Sequence, residues 1–124
     1  MSQQVQSLGE ELLLFIPEGL TEEEYHIIGN AIYFPLSTGN KLKLWFDDQE
    51  IQQHYNAIIL EIVNPNNGKL DRIDLSLHGY YIWCYNRKLE WYGSMPGFSV
   101  IEDIKDQIAD YYALFEPCAS QNNL

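Results

Sequence analysis

The chain has 124 residues, 46% of them hydrophobic and 14% aromatic, which is the size and apolar content of one domain that closes its own core, and this excludes an intrinsically disordered segment. Eighteen acids against seven Lys and Arg give a formal net charge of −11, a field that repels nucleic-acid phosphates and attracts basic partners, so direct nucleic-acid binding is not expected. The uncharged apolar run Leu12 to Ile16 is far short of the ~20 residues a bilayer span needs, and Met1 to Glu11 contains no Lys or Arg of a secretory signal, so no membrane association and a cytoplasmic location are expected.

Reading along the chain, Ser7-Leu8-Gly9-Glu10 has a capping pattern, and the next segment has two alternatives: a short helix from Glu10 to Phe15, or a buried strand from Leu12 to Ile16. Thr21-Glu22-Glu23-Glu24 is a capping box, and Tyr25, Ile28 and Ile32 with Ile27 and Ala31 make a stripe at helical spacing, which predicts a helix ending before Pro35. After the turn Ser37-Thr38-Gly39-Asn40, Leu42, Leu44 and Phe46 alternate with Lys41, Lys43 and Trp45, the period of a half-buried strand. Asp47-Asp48-Gln49-Glu50 breaks it, a short helical turn is expected through Gln53, and Ala57 to Val63 is rich in β-branched residues and reads as the next strand. Asn64-Pro65-Asn66-Asn67-Gly68 predicts a hairpin turn, with Asn67-Gly68 suited to positive φ.

Ile73, Leu75 and Leu77 alternate with Arg72, Asp74 and Ser76 as a third strand, and Tyr80 to Tyr85 and Leu89 to Tyr92 form two aromatic strands about Asn86-Arg87-Lys88. Ser99-Val100-Ile101-Glu102 is a further capping box, opening a helix whose Ile101, Ile104, Ile108, Tyr111, Tyr112 and Phe115 share one face. Pro117 stops that helix and residues 118–124 form a polar tail. The expectation is a single α+β domain over residues 1–124: an antiparallel four- to five-stranded meander from Leu42 to Tyr92, a C-terminal amphipathic helix packed on one face, and one or two N-terminal helices.

Motifs of catalysis and metal binding are lacking. His26, His54 and His78 have no metal-ligand spacing, although folding that brought His54 and His78 to Asp47, Asp48 and Glu50 would make an acid-base or metal cluster. Asp47-Asp48-Gln49-Glu50 lacks the alternating ligands and central glycine of a calcium loop, and helix capping explains it with less. Cys84 and Cys118 read as free thiols with no neighbouring His or Lys in sequence, no strained nucleophile elbow is present, and the eight glycines are scattered singly instead of forming a phosphate loop. No enzyme activity, metal or cofactor is therefore expected.

What stands out is charge and aromatic content. Residues 1–40 hold six acids and no Lys or Arg, and residues 89–124 hold six acids against Lys105. Tyr80-Tyr81-Ile82-Trp83-Cys84-Tyr85, with Trp91 and Tyr92, is denser in aromatics than a core requires, and Tyr and Trp are the residues enriched in interfaces. This points to a non-catalytic acidic protein that neutralises a basic protein partner, such as an immunity protein or inhibitor of a toxin or nuclease. The contact residues expected on that reading are Glu22, Glu23, Asp47, Asp48, Glu50, Asp103, Asp106 and Asp110, with Trp45, Trp83 and Trp91 as anchors. The rival expectation is a small-molecule-binding domain or minor enzyme with a pocket between sheet and helix, lined by Tyr80, Trp83, His78 and Tyr112.

Overall fold

A computed structural model describes residues 8–47, 58–85 and 88–116, the backbone alone at 83–85. The described elements are α1 (Leu8–Glu11), a 3-10 turn (Leu12–Phe15), α2 (Glu18–Thr21), strands β1 (His26–Ile28), β2 (Ala31–Pro35), β3 (Lys41–Phe46), β4 (Ile58–Val63), β5 (Lys69–Asp74), β6 (Ile82–Tyr85) and β7 (Lys88–Trp91), and the helix α3 (Phe98–Phe115). Strands β1 to β5 form an antiparallel meander in sequence order, and β6 and β7 form a separate two-stranded hairpin. The fold is α+β, with one long C-terminal helix and short helical turns at the N-terminus.

The core lies between one face of the meander and α3. Leu42, Leu44 and Phe46 of β3, Ile58, Leu60 and Ile62 of β4, and Ile32 and Phe34 of β2 line that face, and all are buried. The period-2 alternation of β3 thus puts its leucines and Phe46 inward and Lys43 and Trp45 on the opposite face. From α3, the stripe Ile101, Ile104, Ile108 and Tyr111 closes the core, with Tyr112 and Phe115 at its margin. The N-terminal alternatives resolve as helical, because Leu12 and Phe15 enter the core one turn apart. Gly9 seats α1 against the first hairpin: its N–H donates to Gly29 O at 2.9 Å, and a Cβ there would come within 2.8 Å of Ala31 O.

The helix expected from the Thr21 capping box does not form. Thr21 is the last residue of α2, its hydroxyl donating to Glu18 O, and the residues of the expected stripe form the β1–β2 hairpin, Ile28 pairing with Ala31. Two signals outweighed the box. Gly29 adopts φ +61, as the first loop residue of one class of tight two-residue turn requires. Ile32 and Phe34 recur at strand period, and β2 pairs along five residues with β3, from Ala31↔Trp45 to Pro35↔Lys41. A helix would have buried Ile28 on its stripe, whereas in the hairpin that side chain is exposed.

Three further boundaries differ from expectation. The meander runs from His26 to Asp74 and not from Leu42 to Tyr92, because the first hairpin joins it and the aromatic strands stand apart. Strand β5 is exposed at every residue and ends at Asp74, while Leu75 and Leu77 are buried beyond its end. Helix α3 begins at Phe98 after Gly97, whose extended backbone makes the N-cap, so Ser99 lies inside the helix and caps nothing. The turn between β4 and β5 forms as expected, with Asn64 Oδ1 accepting from Asn66 N at 2.9 Å and Gly68 N at 2.7 Å, although Asn67 alone takes positive φ. The helical turn expected through Gln53 and the tail 118–124, with Pro117 before it, fall outside the described residues.

Candidate partner-binding surface

Helix α3 owes its outward face to the same spacing that makes its core stripe. Asp103, Asp106 and Asp110, at intervals of three and four residues, fall on one exposed strip opposite the isoleucines. Asp103 is engaged: its Oδ2 lies 2.6 Å from His78 Nε2 and accepts from Gln107 Nε2 at 3.4 Å. His78 has φ 55 and precedes Gly79 at φ 84, so this contact fixes the turn leaving the buried Leu77 against the helix. Asp106 and Asp110 have no hydrogen-bond or ion-pair partner among the described residues, and Lys105 pairs with Glu102 at 3.4 Å. Carboxylates held on a helix without partners keep their field for an incoming charge.

Other expected contact residues lie apart from this strip in the chain. Glu22 and Glu23 are exposed where α2 ends, and Asp47 is half-buried just after β3. Asp48 and Glu50 lie outside the described residues, as does His54, so of the cluster expected of His54 and His78 with the acids only Asp47 and His78 are described, and His78 turns to Asp103. Of the expected anchors, Trp45 is half-buried on the sheet face opposite α3, its ring 4.7 Å from Lys43 Nζ and its Nε1 buried with no hydrogen-bond partner among the described residues. Trp91 is half-buried, edge-on to Phe15 at 6.0 Å and to Tyr80 at 6.2 Å. Trp83 is described by its backbone, paired with Glu90. Of the residues expected around a pocket, Tyr80 thus packs on Trp91 and His78 on Asp103, and Tyr112 borders the core.

The exposed aromatic surface is made by residues other than the expected anchors. Phe98 is 80% exposed, Tyr92 69%, Met95 57% and Tyr81 46%. Tyr92 N donates to Tyr81 O at 2.8 Å, so these two are neighbours across the end of the β6–β7 hairpin, and Tyr92, Met95 and Phe98 recur at every third residue into the first turn of α3. The sequence holds a signal for Phe98: it lies three residues before Ile101 but six before Ile104, which puts it off the centre of the apolar stripe. Solvent-facing aromatic side chains at the entry of α3 and, further along the same helix, acids with no partner among the described residues are the two components of a protein-binding surface.

Charge is divided between the two sides of the molecule. Lys41, Lys43 and Arg72 belong to the sheet face opposite α3, where Lys43 stands across Glu61, which stands across Arg72. Lys43 Nζ lies 4.0 Å from Glu61 and between the rings of Tyr33 and Trp45. Bases on this face leave the outward side of α3 acidic.

In the C-terminal half of α3, the Tyr111 hydroxyl donates to Asp71 Oδ2 at 2.6 Å. Burial, then that bond and the nearby carboxylates of Asp71 and Glu61, push the phenol well above its ordinary pKa, so it is neutral and a donor at physiological pH. Among the described residues no group of three His, Cys, Asp or Glu is placed to hold a metal ion, and no helix is long and apolar enough to cross a membrane. Comparison with protein-family models, with curated proteins and with solved structures finds no match to the chain.

Proposed function

We propose that this chain is a non-catalytic acidic binding protein that neutralises a basic protein partner, in the manner of an immunity protein or an inhibitor of a toxin or nuclease. The observation that supports it is the occurrence on one segment, residues 92–110, of two exposed carboxylates, Asp106 and Asp110, without partners among the described residues, and of the exposed side chains of Tyr92, Met95 and Phe98. Acids on a rigid helix steer a cationic partner at long range, and aromatic side chains at the helix entry supply the short-range contact that slows its release. A basic nuclease groove, built to hold phosphates, has the complementary field.

The test is a parallel capture from extracts of the source organism with three baits: wild type, Asp106→Lys with Asp110→Lys, and Tyr92→Ala with Phe98→Ala. The expected result is a basic protein recovered on wild type, lost from the charge-reversed bait and depleted from the aromatic-truncated one, with direct binding confirmed on the purified pair. Recovery of no basic protein, or of the same protein on all three baits, rejects the proposal.

A further inference from the structure

The outer strand β5, Lys69-Leu70-Asp71-Arg72-Ile73-Asp74, is the edge of the meander, and both its faces are exposed. Its backbone can be accounted for residue by residue. Leu75 N donates to Ile58 O at 2.9 Å, continuing the register in which Ile73 stands across Leu60 and Asp71 across Ile62. In an antiparallel ladder alternate residues point both backbone groups at the same neighbour. Leu75, Ile73 and Asp71 therefore point theirs at β4, and Arg72 and Asp74 present theirs outward.

We propose that β5 is the seam of a homodimer, two copies pairing antiparallel about a two-fold axis at Ile73. A two-fold axis normal to the sheet keeps every residue on its own face, so the register must place some residue opposite itself. With Ile73 at the axis, Arg72 stands opposite Asp74 of the second copy, and Asp74 opposite its Arg72. Both members of each pair have outward-facing backbone groups, so the hydrogen bonds of the new ladder form between them, and Ile73 meets its copy at the closer, non-hydrogen-bonded position. Neighbouring registers fail on charge: an axis at Arg72 opposes two guanidiniums, and one at Asp71 or Asp74 opposes two carboxylates. Edge strands commonly carry charges that forbid pairing. Here the same charges disfavour the registers centred on Asp71, Arg72 and Asp74, and the one centred on Ile73 pairs opposite charges on both sides of the axis.

The side chains are already aligned for this. Arg72 Nε lies 3.3 Å from Asp74 Oδ1 within the chain, on the face opposite α3, so the seam would close an alternating square of two Arg72 and two Asp74. On the other face the helix stripe Gln107, Tyr111, Leu114 follows β5, since Gln107 bonds Ser76 and Tyr111 bonds Asp71. Leu114 at the end of that stripe and Leu70 near the start of β5 are both exposed. The proposal does not depend on the function of the α3 surface, and it would place two such surfaces on the same side of one assembly.

The test is sedimentation velocity over a concentration series, with circular dichroism to confirm that each exposed-site variant is folded. Wild type is expected to show a concentration-dependent dimer. Arg72→Glu sets four like charges against each other and should raise the dissociation constant at least about tenfold, and the swap Arg72→Asp with Asp74→Arg should restore it. In a Cys84→Ser, Cys118→Ser background, Ile73→Cys should oxidise to a covalent dimer because the axis brings residue 73 within disulfide reach of its copy, whereas Asp74→Cys should not. A wild type that stays monomeric at every concentration, a dimer indifferent to Arg72→Glu, or cross-linking through position 74 and not 73 overturns it.

Discussion

Strands β4 and β5 are hydrogen-bonded neighbours of equal length in one sheet, yet every residue of β4 is buried and every residue of β5 is exposed. Strand β4, Ile-Ile-Leu-Glu-Ile-Val, has a single polar residue, Glu61, and it faces Lys43. Strand β5 has four charged residues against two aliphatic ones and is held by its ladder and by one bond from Tyr111. The difference separates two tasks within one sheet. Inner strands hold the fold through apolar burial, and the edge strand carries its charges at the surface, Arg72 beside Asp74. Helix α3 repeats the division across its own width, buried isoleucines on one side and exposed aspartates on the other.

The sharpest break in that comparison is a truncation on each side of it. Leu60→Ala leaves a cavity at the centre of β4 and should lower stability by about 2–5 kcal/mol, while Leu70→Ala in β5 should change it by less than about 0.5 kcal/mol, both read from urea midpoints. Within α3 the same contrast should hold between Ile108→Ala, at about 2–5 kcal/mol, and Asp106→Ala, near zero. Equal midpoints within either pair would refute the division.

Next in size is the anchor of the C-terminal end of α3. The buried carboxylate of Glu116 accepts from Ser37 N at 3.1 Å and from Ser37 Oγ, tying the helix end to the β2–β3 turn. Glu116→Ala removes this charged acceptor from the Ser37 N–H and hydroxyl and should cost about 1–3 kcal/mol in chemical denaturation.

Smaller again is the bond joining the helix to the edge strand. Tyr111→Phe should cost about 0.5–1.5 kcal/mol. Its pH dependence has a definite sign. The folded phenol titrates above the ordinary value of 10.0, so its contribution is complete below pH 10 and is lost as pH rises from there towards the folded pKa. Stability curves of wild type and Tyr111→Phe should therefore converge in strong alkali, and a constant gap through that range would show that the hydroxyl is not held as described.

Much of this architecture was legible in the sequence wherever one pattern had no competitor. Leu42, Leu44 and Phe46 fit only a strand, and the Asn64–Gly68 turn and the isoleucine stripe of α3 left no alternative. Residues 21–35 misled because a capping box and a helical stripe overlapped a run that pairs equally well at strand period, and the ladder to β3 decided between them. That decision is made by contacts distant in sequence, which local pattern does not contain. For the site, the aspartate strip is a direct consequence of helical spacing. The exposed aromatics are legible only as a dense run with the composition of an interface: which of them stay exposed depends on the hairpin standing apart from the main sheet, which leaves Tyr81 and Tyr92 at its open end.

The most direct test of the acidic face of α3 as a docking surface is the association rate of the purified chain with its captured basic partner, measured by stopped flow across a salt series. Screening shortens the Debye length from ~10 Å at 0.1 M to ~3 Å at 1 M, so a rate set by the acidic field of α3 should fall at least about tenfold over that range while dissociation changes little. Asp106→Lys with Asp110→Lys should abolish most of the salt dependence, and Phe98→Ala should leave the association rate intact and speed dissociation. A salt-independent association rate, or charge-reversed and wild-type chains that associate alike, would contradict it.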